Sequence, residues 1–355
     1  PAIGQAAGSA RVPGRCVWQL YDGDWYDAAQ IYRDWALKYA RWVPEVDDDG
    51  RVDVCEWFKK TPLWFCVMVD QPNWLEDTLE AARDLGVPAA CHIYHWHEIP
   101  FDNDYPHYFP ARQDFLDKLP ALQAAGLKVM PYINGRLWDT RDRLDQDFMF
   151  TAVAEPAATK GRSGRPVIER FLSREVDGSR VRLTAMCPST ALWQETVRSL
   201  ADRLLNEVGV DGVYVDQVAA APPVLCMDRS HSHAPGGGDW WQHDYYHLFD
   251  HLRRVTPPDK GFAVESHGES YMRCTDAMLV WQWTQSGQVP AFPAVYGGYV
   301  TFFGRAYSDN RDQEGLRVLA CQALLFGEPL GWINPRGYLE SPHRALFKKL
   351  TQIRW

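Results

Sequence analysis

The feature that most constrains the fold of this chain is an alternation of short apolar segments with amphipathic ones, which begins at Leu63 and continues to the C-terminus. The apolar segments have the length of buried strands, and several segments between them have helical spacing. Strands are predicted over residues 63–69, 87–96, 127–133, 210–216, 261–266, 277–283, 295–303 and 329–333. This pattern favours a parallel (β/α)8 TIM barrel of the α/β class over an open doubly wound sheet.

Helices are predicted over residues 27–38, 74–85, 113–125, 191–208, 240–254, 313–326 and 343–353. Gly126 and Gly209 follow two of them, at the position where a glycine commonly ends a helix. Little helix lies between the sixth and seventh strands, so this is the least regular part of the predicted barrel.

Residues 1–60 lack this alternation and are predicted to form an N-terminal lead-in that packs beneath a catalytic barrel of residues 61–355. A chain of 355 residues suits one barrel of roughly 250 residues plus flanking segments. It begins with Pro1 rather than Met and shows no signal peptide, which is typical of a trimmed piece of a longer protein. The compartment, secreted or cytoplasmic, and the oligomeric state stay open.

The net charge and the aromatic content of the chain indicate which class of partner it binds. The net charge of −9 argues against nucleic acid and anionic membrane surfaces, and no stretch is long and apolar enough to span a membrane. Sixteen Trp and sixteen Tyr residues are a heavy aromatic load. Aromatic rings often form platforms for the apolar faces of sugars, so a carbohydrate is the expected partner.

Two predicted strands end on an acid. Asp216 ends the fourth strand, and Glu265 ends the fifth. The carboxyl ends of barrel strands form the floor of the active site, and a pair of carboxyl groups is the minimum equipment for cleaving a glycosidic bond. Asp216 is therefore predicted as the nucleophile and Glu265 as the acid/base, with Glu269 as a competitor for the second role.

Further polar and aromatic residues follow the predicted strands, where a barrel places its working side chains. A loop that contains His231, His233 and the glycines of 236–238 is interpreted as a lid or substrate loop, with a solvated flexible loop as the alternative. The predicted substrate-binding residues are His95, Trp96, His97, Asp102, Asn134, Arg136, Trp138, Gln217, His231, His233, His267, Glu269, Trp281, Trp283 and Trp332.

Two sets of histidines could suggest a metal site. In the first set, His95 and His97 share a face of an extended segment while His92 points away, and a zinc site needs three protein ligands and an open position. His243, His247 and His251 share one face of a predicted helix and are interpreted as partly buried polar residues. No metal and no cofactor is predicted.

Four segments resemble a large family of bacterial glycoside-hydrolase-like proteins: 92–110 (HIYHWHEIPFDNDYPHYFP), 130–138 (MPYINGRLW), 212–217 (GVYVDQ) and 296–299 (YGGY). The resemblance covers residues 20–350, and the barrel is similar to that of endo-α-N-acetylgalactosaminidases and, more distantly, other retaining α-glycosidases. Family members often carry β-sandwich domains on both sides of the barrel, so the first residues could be the stub of one.

The resemblance also implies roles for the two acids. In those enzymes the nucleophile is an Asp that ends strand four, which matches Asp216. In the endo-α-N-acetylgalactosaminidases the acid/base is a Glu after strand five, which matches Glu265. Most other retaining α-glycosidases of this type use an Asp after strand six, and residues 281–283 offer no acid there.

The expected function is a retaining glycoside hydrolase that cleaves an α-glycosidic bond in an oligo- or polysaccharide or glycoconjugate. An inverting glycosidase that uses the same carboxylates, and a non-catalytic carbohydrate-binding barrel, remain as alternatives. An isomerase or aldolase barrel is disfavoured because no Lys ends a predicted strand. The sequence does not indicate the sugar, the linkage, or endo versus exo action.

Overall fold

The computed structural model describes residues 15–141, 149–280, 288–304 and 312–355. Within these ranges eight parallel strands form one sheet in the order β7-β6-β5-β4-β3-β2-β1-β8, and β7 lies beside β8. The sheet is therefore a nearly closed barrel, which confirms the predicted fold class. The strands are β1 Leu63–Met68, β2 Ala89–Tyr94, β3 Lys128–Asn134, β4 Gly212–Asp216, β5 Gly261–Glu265, β6 Ala277–Leu279, β7 Thr301–Phe303 and β8 Leu330–Ile333.

Helices surround the sheet, and no helix among the described residues is long and apolar enough to cross a membrane. They are α1 Trp25–Tyr39, α2 Glu56–Lys60, α3 Trp74–Leu85, α4 Gln113–Ala124, α5 Ala191–Asp202, α6 Trp240–Val255, α7 Ala291–Tyr296, α8 Gln313–Phe326, α9 Pro335–Glu340 and α10 Arg344–Arg354. Short strands outside the barrel are Val46–Asp47, Gly50–Arg51, Leu137–Asp139, Ile168–Glu169 and Leu183–Ala185.

The structure differs from the predicted elements mainly around the seventh strand. The segment 295–303 was predicted as one strand, but Val295 and Tyr296 belong to α7, and the strand begins only at Thr301. Both residues are buried within the helix, so a run of apolar residues does not distinguish a buried helix from a strand here. The predicted helix 191–208 is an α-helix only as far as Asp202. Its last six residues form a π-helix that ends before Gly209.

The second half of the lead-in, which contains α2, packs against the amino-terminal end of the barrel. Phe58 of α2 is fully buried; its ring stacks on Trp57 at 3.9 Å and lies 5.8 Å from the ring of Trp64 in β1. A Cβ atom at Gly261, the first residue of β5, would lie 2.9 Å from the Phe58 ring. The amino ends of β1 and β5 thus pack directly on α2.

The first half of the lead-in packs against the side of the barrel. Gln30 of α1 donates a hydrogen bond to the Ala294 carbonyl of α7 at 3.2 Å. Trp42, just after α1, donates from Nε1 to the Tyr296 hydroxyl at 3.0 Å. The helix therefore covers the connection between β6 and β7, where α7 has only six residues.

Truncation of Phe58 tests whether α2 is a structural part of the barrel. We expect Phe58→Ala to lower the free energy of unfolding by about 3–5 kcal/mol, because the substitution leaves a cavity that the barrel floor cannot fill. Leu325→Ala is the matched control, since Leu325 lies in helix α8 and is largely exposed. Urea denaturation measures both, and equal, small losses in the two variants would contradict the assignment.

Candidate active site

The carboxyl ends of the barrel strands surround a cavity of about 470 Å³. This volume lies in the range of about 300–1,000 Å³ that is usual for small-molecule sites. Its wall combines aromatic rings with three carboxylic acids. The lining residues are Met68, Tyr94, His95, Phe101, Asp102, Tyr132, Phe171, Tyr214, Asp216, Gln217, Glu265, Leu279 and Trp332.

Asp216 lies at the floor of the cavity with only 9% of its surface exposed. Its Oδ2 accepts hydrogen bonds from the Tyr132 hydroxyl at 2.9 Å and from Asn134 Nδ2 at 3.5 Å, and its Oδ1 accepts one from the Tyr214 hydroxyl at 3.2 Å. Side chains two apart in a strand share a face. The barrel interior therefore supplies the donors that a buried carboxylate requires.

Glu265 ends the neighbouring strand and lines the same cavity, where its carboxyl group is close enough to that of Asp216 for each to shift the pKa of the other. Burial raises the pKa of Asp216 well above its ordinary value; the charge of Glu265 raises it further, while the bonds from Tyr132 and Tyr214 act in the opposite direction. Burial likewise raises the pKa of Glu265, while its interactions with Asp216 and with the Gln217 backbone N–H act in the opposite direction. Two adjacent buried carboxyl groups cannot both ionise at low cost, so the ionisation of one opposes the ionisation of the other.

Backbone strain is concentrated at the rim of this cavity. His95, Gln217 and Ser266 directly follow β2, β4 and β5, and each has a positive φ, of 56°, 66° and 56°. Asp102 and Trp332 also have positive φ angles, of 53° and 35°. Such conformations cost of order 1–3 kcal/mol each in residues other than glycine, and they cluster at functional sites.

His95 is held in place from two sides. Its Nδ1 lies 3.1 Å from a carboxylate oxygen of Asp70, and its ring is parallel to that of Phe101 at a centroid distance of 5.8 Å. The His95 side chain thus meets the cavity in a fixed orientation, suited to a hydrogen bond with a polar ligand.

Trp332 is fixed from beneath. Its Nε1 donates a hydrogen bond to Nδ1 of His92 at 3.2 Å. His92 is fully buried, and burial lowers its pKa to about 3, so its ring is neutral and its Nδ1 is free to accept. This bond sets the indole of Trp332 against the cavity, where a flat ring can pack against a sugar.

The structure brings several of the predicted site residues together. His95, Asp102, Gln217 and Trp332 line the cavity with both predicted catalytic acids. Asn134 contacts Asp216 from behind, as described above. Arg136 reaches the Gln217 side chain at 3.4 Å and also forms a two-pronged ion pair with Glu169 at 2.6 Å, so it supports the rim.

Three predicted binding residues lie in the core behind the cavity instead. Trp96 is fully buried and donates from Nε1 to the Tyr132 carbonyl at 2.7 Å. His97 is also fully buried, and its Nδ1 pairs with the Ile99 carbonyl at 2.8 Å. Trp138 packs near Trp193. Their hydrogen bonds and packing position the strand ends, because none of the three lines the cavity.

Glu269 and His267 lie in a different cavity, of about 320 Å³, beside α1. Glu269 accepts hydrogen bonds from the hydroxyl groups of Tyr32 at 3.0 Å and Tyr296 at 2.6 Å. These bonds fix the lead-in helix to the barrel, and they place Glu269 outside the cavity that holds Asp216. Glu265 is thus the acid of this segment that shares the cavity.

His231 and His233 also lie away from the cavity. Together with Cys187 and Cys226 they form a cluster whose ligand atoms could hold a metal ion. The prediction of no metal rests on the two other sets of histidines, around His95 and around His247, and neither set includes these four residues. Trp281 and Trp283 lie outside the described residues.

Sequence reasoning missed five aromatic residues that line the cavity. Tyr132 on β3 and Tyr214 on β4 could have been predicted from strand alternation, because they lie two residues before Asn134 and Asp216. Alternation would not have found Tyr94, because Trp96, two residues further along, lies in the core, and Phe101 and Phe171 lie in irregular segments without a periodic signal. The missed residues are Tyr94, Phe101, Tyr132, Phe171 and Tyr214.

The acid pair should oppose folding near neutral pH. Carboxyl groups whose folded-state pKa is raised favour the fold below their ordinary pKa and oppose it as the pH rises through the folded value. Asp216→Asn removes this penalty. We expect it to raise the free energy of unfolding at pH 7 by on the order of 1 kcal/mol, with a smaller gain at pH 4. Asp259→Asn, an exposed position, is the control; a gain that is equal at both pH values would contradict the pKa directions.

Comparisons with known proteins are consistent with this geometry. A protein of Bacteroides thetaiotaomicron named "Putative glycoside hydrolase" is 30% identical over 352 residues, which is 97% of this chain and 50% of the relative. A Monosiga brevicollis protein named "Putative glycoside hydrolase 22789" is 28% identical over 351 residues, 90% of this chain and 29% of the relative. The chain spans half or less of the length of these two curated relatives.

Solved structures share the fold. An alpha-N-acetylgalactosaminidase from Bifidobacterium bifidum aligns with a TM-score of 0.65 and 14% identity, covering 93% of this chain and 57% of that one. An alpha-galactosidase from Thermus thermophilus aligns with a TM-score of 0.55 and 12% identity, covering 91% and 65%. The resemblance predicted from sequence is confirmed at the level of family: residues 10–307 match the model of the "Domain of unknown function (DUF6259)", and the chain belongs to this family.

Proposed function

We propose that this chain is the catalytic barrel of a retaining glycoside hydrolase that cleaves an α-glycosidic bond in an oligo- or polysaccharide or a glycoconjugate. The observation that carries the proposal is the close approach of the Asp216 and Glu265 carboxyl groups on the floor of the aromatic cavity. The names of the curated relatives support glycosidase activity in general, and the structural neighbours support the α configuration.

The roles of the two acids follow from their surroundings. Asp216 receives hydrogen bonds from two tyrosine hydroxyls and an amide, whereas the backbone N–H of Gln217 serves Glu265. Hydrogen bonds to a carboxylate favour its ionised form. Burial and the neighbouring acid raise the pKa of Asp216, whereas its tyrosine donors lower it. In this proposal the donors prevail when substrate is bound, so Asp216 carries the charge and acts as the nucleophile, and Glu265 carries the proton and acts as the acid.

The reaction has two steps in this proposal. Asp216 attacks the anomeric carbon while Glu265 donates its proton to the glycosidic oxygen, and the C–O bond to the leaving group breaks. Glu265, now ionised, takes a proton from water, and the resulting hydroxide attacks the anomeric carbon and releases Asp216. Glu265 regains its proton and the cycle closes.

The proximity of the two acids favours retention over inversion. Carboxyl groups stand about 5–5.5 Å apart in retaining enzymes and about 6.5–9.5 Å apart in inverting ones, which must fit a water molecule between acid and base. The close electrostatic coupling of Asp216 and Glu265 on adjacent strands supports the shorter separation. A non-catalytic carbohydrate-binding barrel is disfavoured as well, because recognition of a sugar alone does not require two buried acids with perturbed pKa values side by side.

The cavity wall favours a neutral sugar. Its described lining holds the three acids Asp102, Asp216 and Glu265 but no Lys or Arg. A sugar that carries a carboxylate or sulfonate near the cleaved bond would be repelled by these acids. The aromatic rings of Tyr94 and Trp332 suit the apolar faces of a neutral pyranose.

Loss of the nucleophile should abolish turnover. We expect Asp216→Asn to lower kcat/KM at least about 10³-fold, because an amide cannot form the glycosyl-enzyme. A panel of p-nitrophenyl α- and β-glycosides identifies the substrate, and proton NMR of the first-formed sugar gives the stereochemistry. The α-anomer should form first. Asp259→Asn is the control and should retain activity. If Asp216→Asn keeps more than about a tenth of wild-type activity, Asp216 is not the nucleophile.

Loss of the acid/base should depend on the leaving group. We expect Glu265→Gln to slow substrates with poor leaving groups far more than activated aryl glycosides, because only a poor leaving oxygen needs the proton. Azide should restore turnover of the activated substrates by attacking the glycosyl-enzyme without base help. Glu269→Gln is the matched control, and the leaving-group pattern appearing there instead would transfer the role to Glu269.

A further inference from the structure

Four potential metal ligands meet outside the acidic cavity. The Sγ atoms of Cys187 and Cys226 and one ring nitrogen each of His231 and His233 all lie within 4.8 Å of one another. Both thiols are fully buried, and His233 is nine-tenths buried. The residues come from two separate parts of the chain, because Cys187 follows the short strand Leu183–Ala185 and the others lie in the loop after β4.

The spacing of these atoms fits a tetrahedral ion. Zinc bonds of about 2.3 Å to sulfur and 2.0–2.1 Å to nitrogen place ligand atoms roughly 3.3–3.8 Å apart in a tetrahedron. Cys226 Sγ and His231 Nδ1 are 3.4 Å apart. The remaining distances stay below 4.8 Å, so small side-chain adjustments complete the geometry.

Each histidine already has one nitrogen occupied and one directed to the cluster. Nε2 of His231 pairs with the Pro156 carbonyl at 2.9 Å, which leaves Nδ1 facing Cys226. Nδ1 of His233 pairs with the Ala234 carbonyl at 2.9 Å. Its Nε2 is buried and, within the described part of the chain, has no hydrogen-bond partner. Metal-bound histidines usually donate their other N–H to a carbonyl or carboxylate in this way.

The surroundings hold the ligands in place. The Lys160 backbone N–H donates a hydrogen bond to Cys226 Sγ at 3.4 Å. The backbone of Cys226 pairs with that of Gly236. The ring of His233 stacks on Trp240 at a centroid distance of 3.6 Å and an angle of 5°. A buried imidazole nitrogen without a partner costs free energy, and a bound cation removes that cost.

We propose that Cys187, Cys226, His231 and His233 form a structural Zn²⁺ site. Two soft thiolates and two imidazoles in a tetrahedral arrangement select zinc over calcium or magnesium, which prefer oxygen ligands. Two thiolates neutralise the charge of the ion, as a buried site requires. Four protein ligands leave no open position for a substrate or a water molecule, so the ion stabilises structure rather than taking part in catalysis.

Such an ion would tie the β4 loop to the preceding insertion. The loop begins at Gln217, which lines the cavity, and Cys226 lies nine residues further along. Cys187 and the His231 partner Pro156 both belong to the segment between β3 and α5. Bound zinc thus restrains the far side of a loop whose first residue touches the site, without contacting the reacting atoms.

The metal content of the purified chain tests this proposal. The chain is produced in zinc-supplemented medium, kept reduced and desalted, and its metals are measured by inductively coupled plasma mass spectrometry. We expect one zinc ion per chain, and at least about a tenfold loss in Cys226→Ser and in His233→Ala. Cys321→Ser removes an exposed thiol outside the cluster and should retain the metal. Circular dichroism checks that each variant folds.

Two measurements on the wild-type chain do not depend on the variants. Modification of the thiols with p-hydroxymercuribenzoate should release the zinc, as detected with 4-(2-pyridylazo)resorcinol. Replacement by Co²⁺ should give thiolate-to-metal charge-transfer absorption and strong visible bands of a tetrahedral site. The proposal fails if no zinc binds even on reconstitution, if zinc persists after loss of Cys226 and His233, or if intact mass shows a Cys187–Cys226 disulfide in place of the metal.

Discussion

The buried carboxyl group of Asp216 is the constraint on which the rest of the site depends. A carboxylate with so little solvent contact needs donors from the protein. In the parallel register of β3 and β4, Tyr132 stands beside Tyr214 and Asn134 beside Asp216. The two hydroxyls therefore form a layer directly beneath the acid, and each reaches one of its oxygens. The same layer leaves the upper side of Asp216 open to the cavity and to Glu265.

Residues with strained backbone conformations lie at the strand ends above this polar layer. His95, Gln217 and Ser266 have positive φ angles directly after three strands, and the side chains of His95 and Gln217 line the cavity. The packing of the barrel core offsets the free-energy cost of these conformations. Trp96, just after β2, and Phe262, in β5, are both fully buried and hold these two segments in place. A rigid barrel can thus hold turns that an isolated loop would relax.

The strand ends were accessible to sequence reasoning, whereas the direction of the side chains beyond them was not. Asp216 and Glu265 end buried apolar runs, and parallel strands in a barrel bring their carboxyl ends together. Trp96 and Trp332 illustrate the limit. Both are tryptophans near the ends of strands, yet one is buried in the core and the other lines the cavity. Local backbone conformation decides this difference, as the positive φ of Trp332 shows, and periodicity carries no information about it.

The metal-ligand cluster was inaccessible for a different reason. Cys187 lies 39 residues before Cys226 along the chain, and no regular spacing connects it to His231 and His233. The fold alone brings them together, by laying the insertion after β3 against the loop after β4. That loop starts just after Asp216, whose carboxyl group is held by the polar floor of the barrel, and the cluster lies further along it. Gln217 is the first residue of the loop, and its side chain accepts a hydrogen bond from Arg136 at 3.4 Å. An ion bound by the cluster, as proposed above, would therefore restrain the loop beyond Cys226 while this hydrogen bond holds Gln217 at the cavity wall.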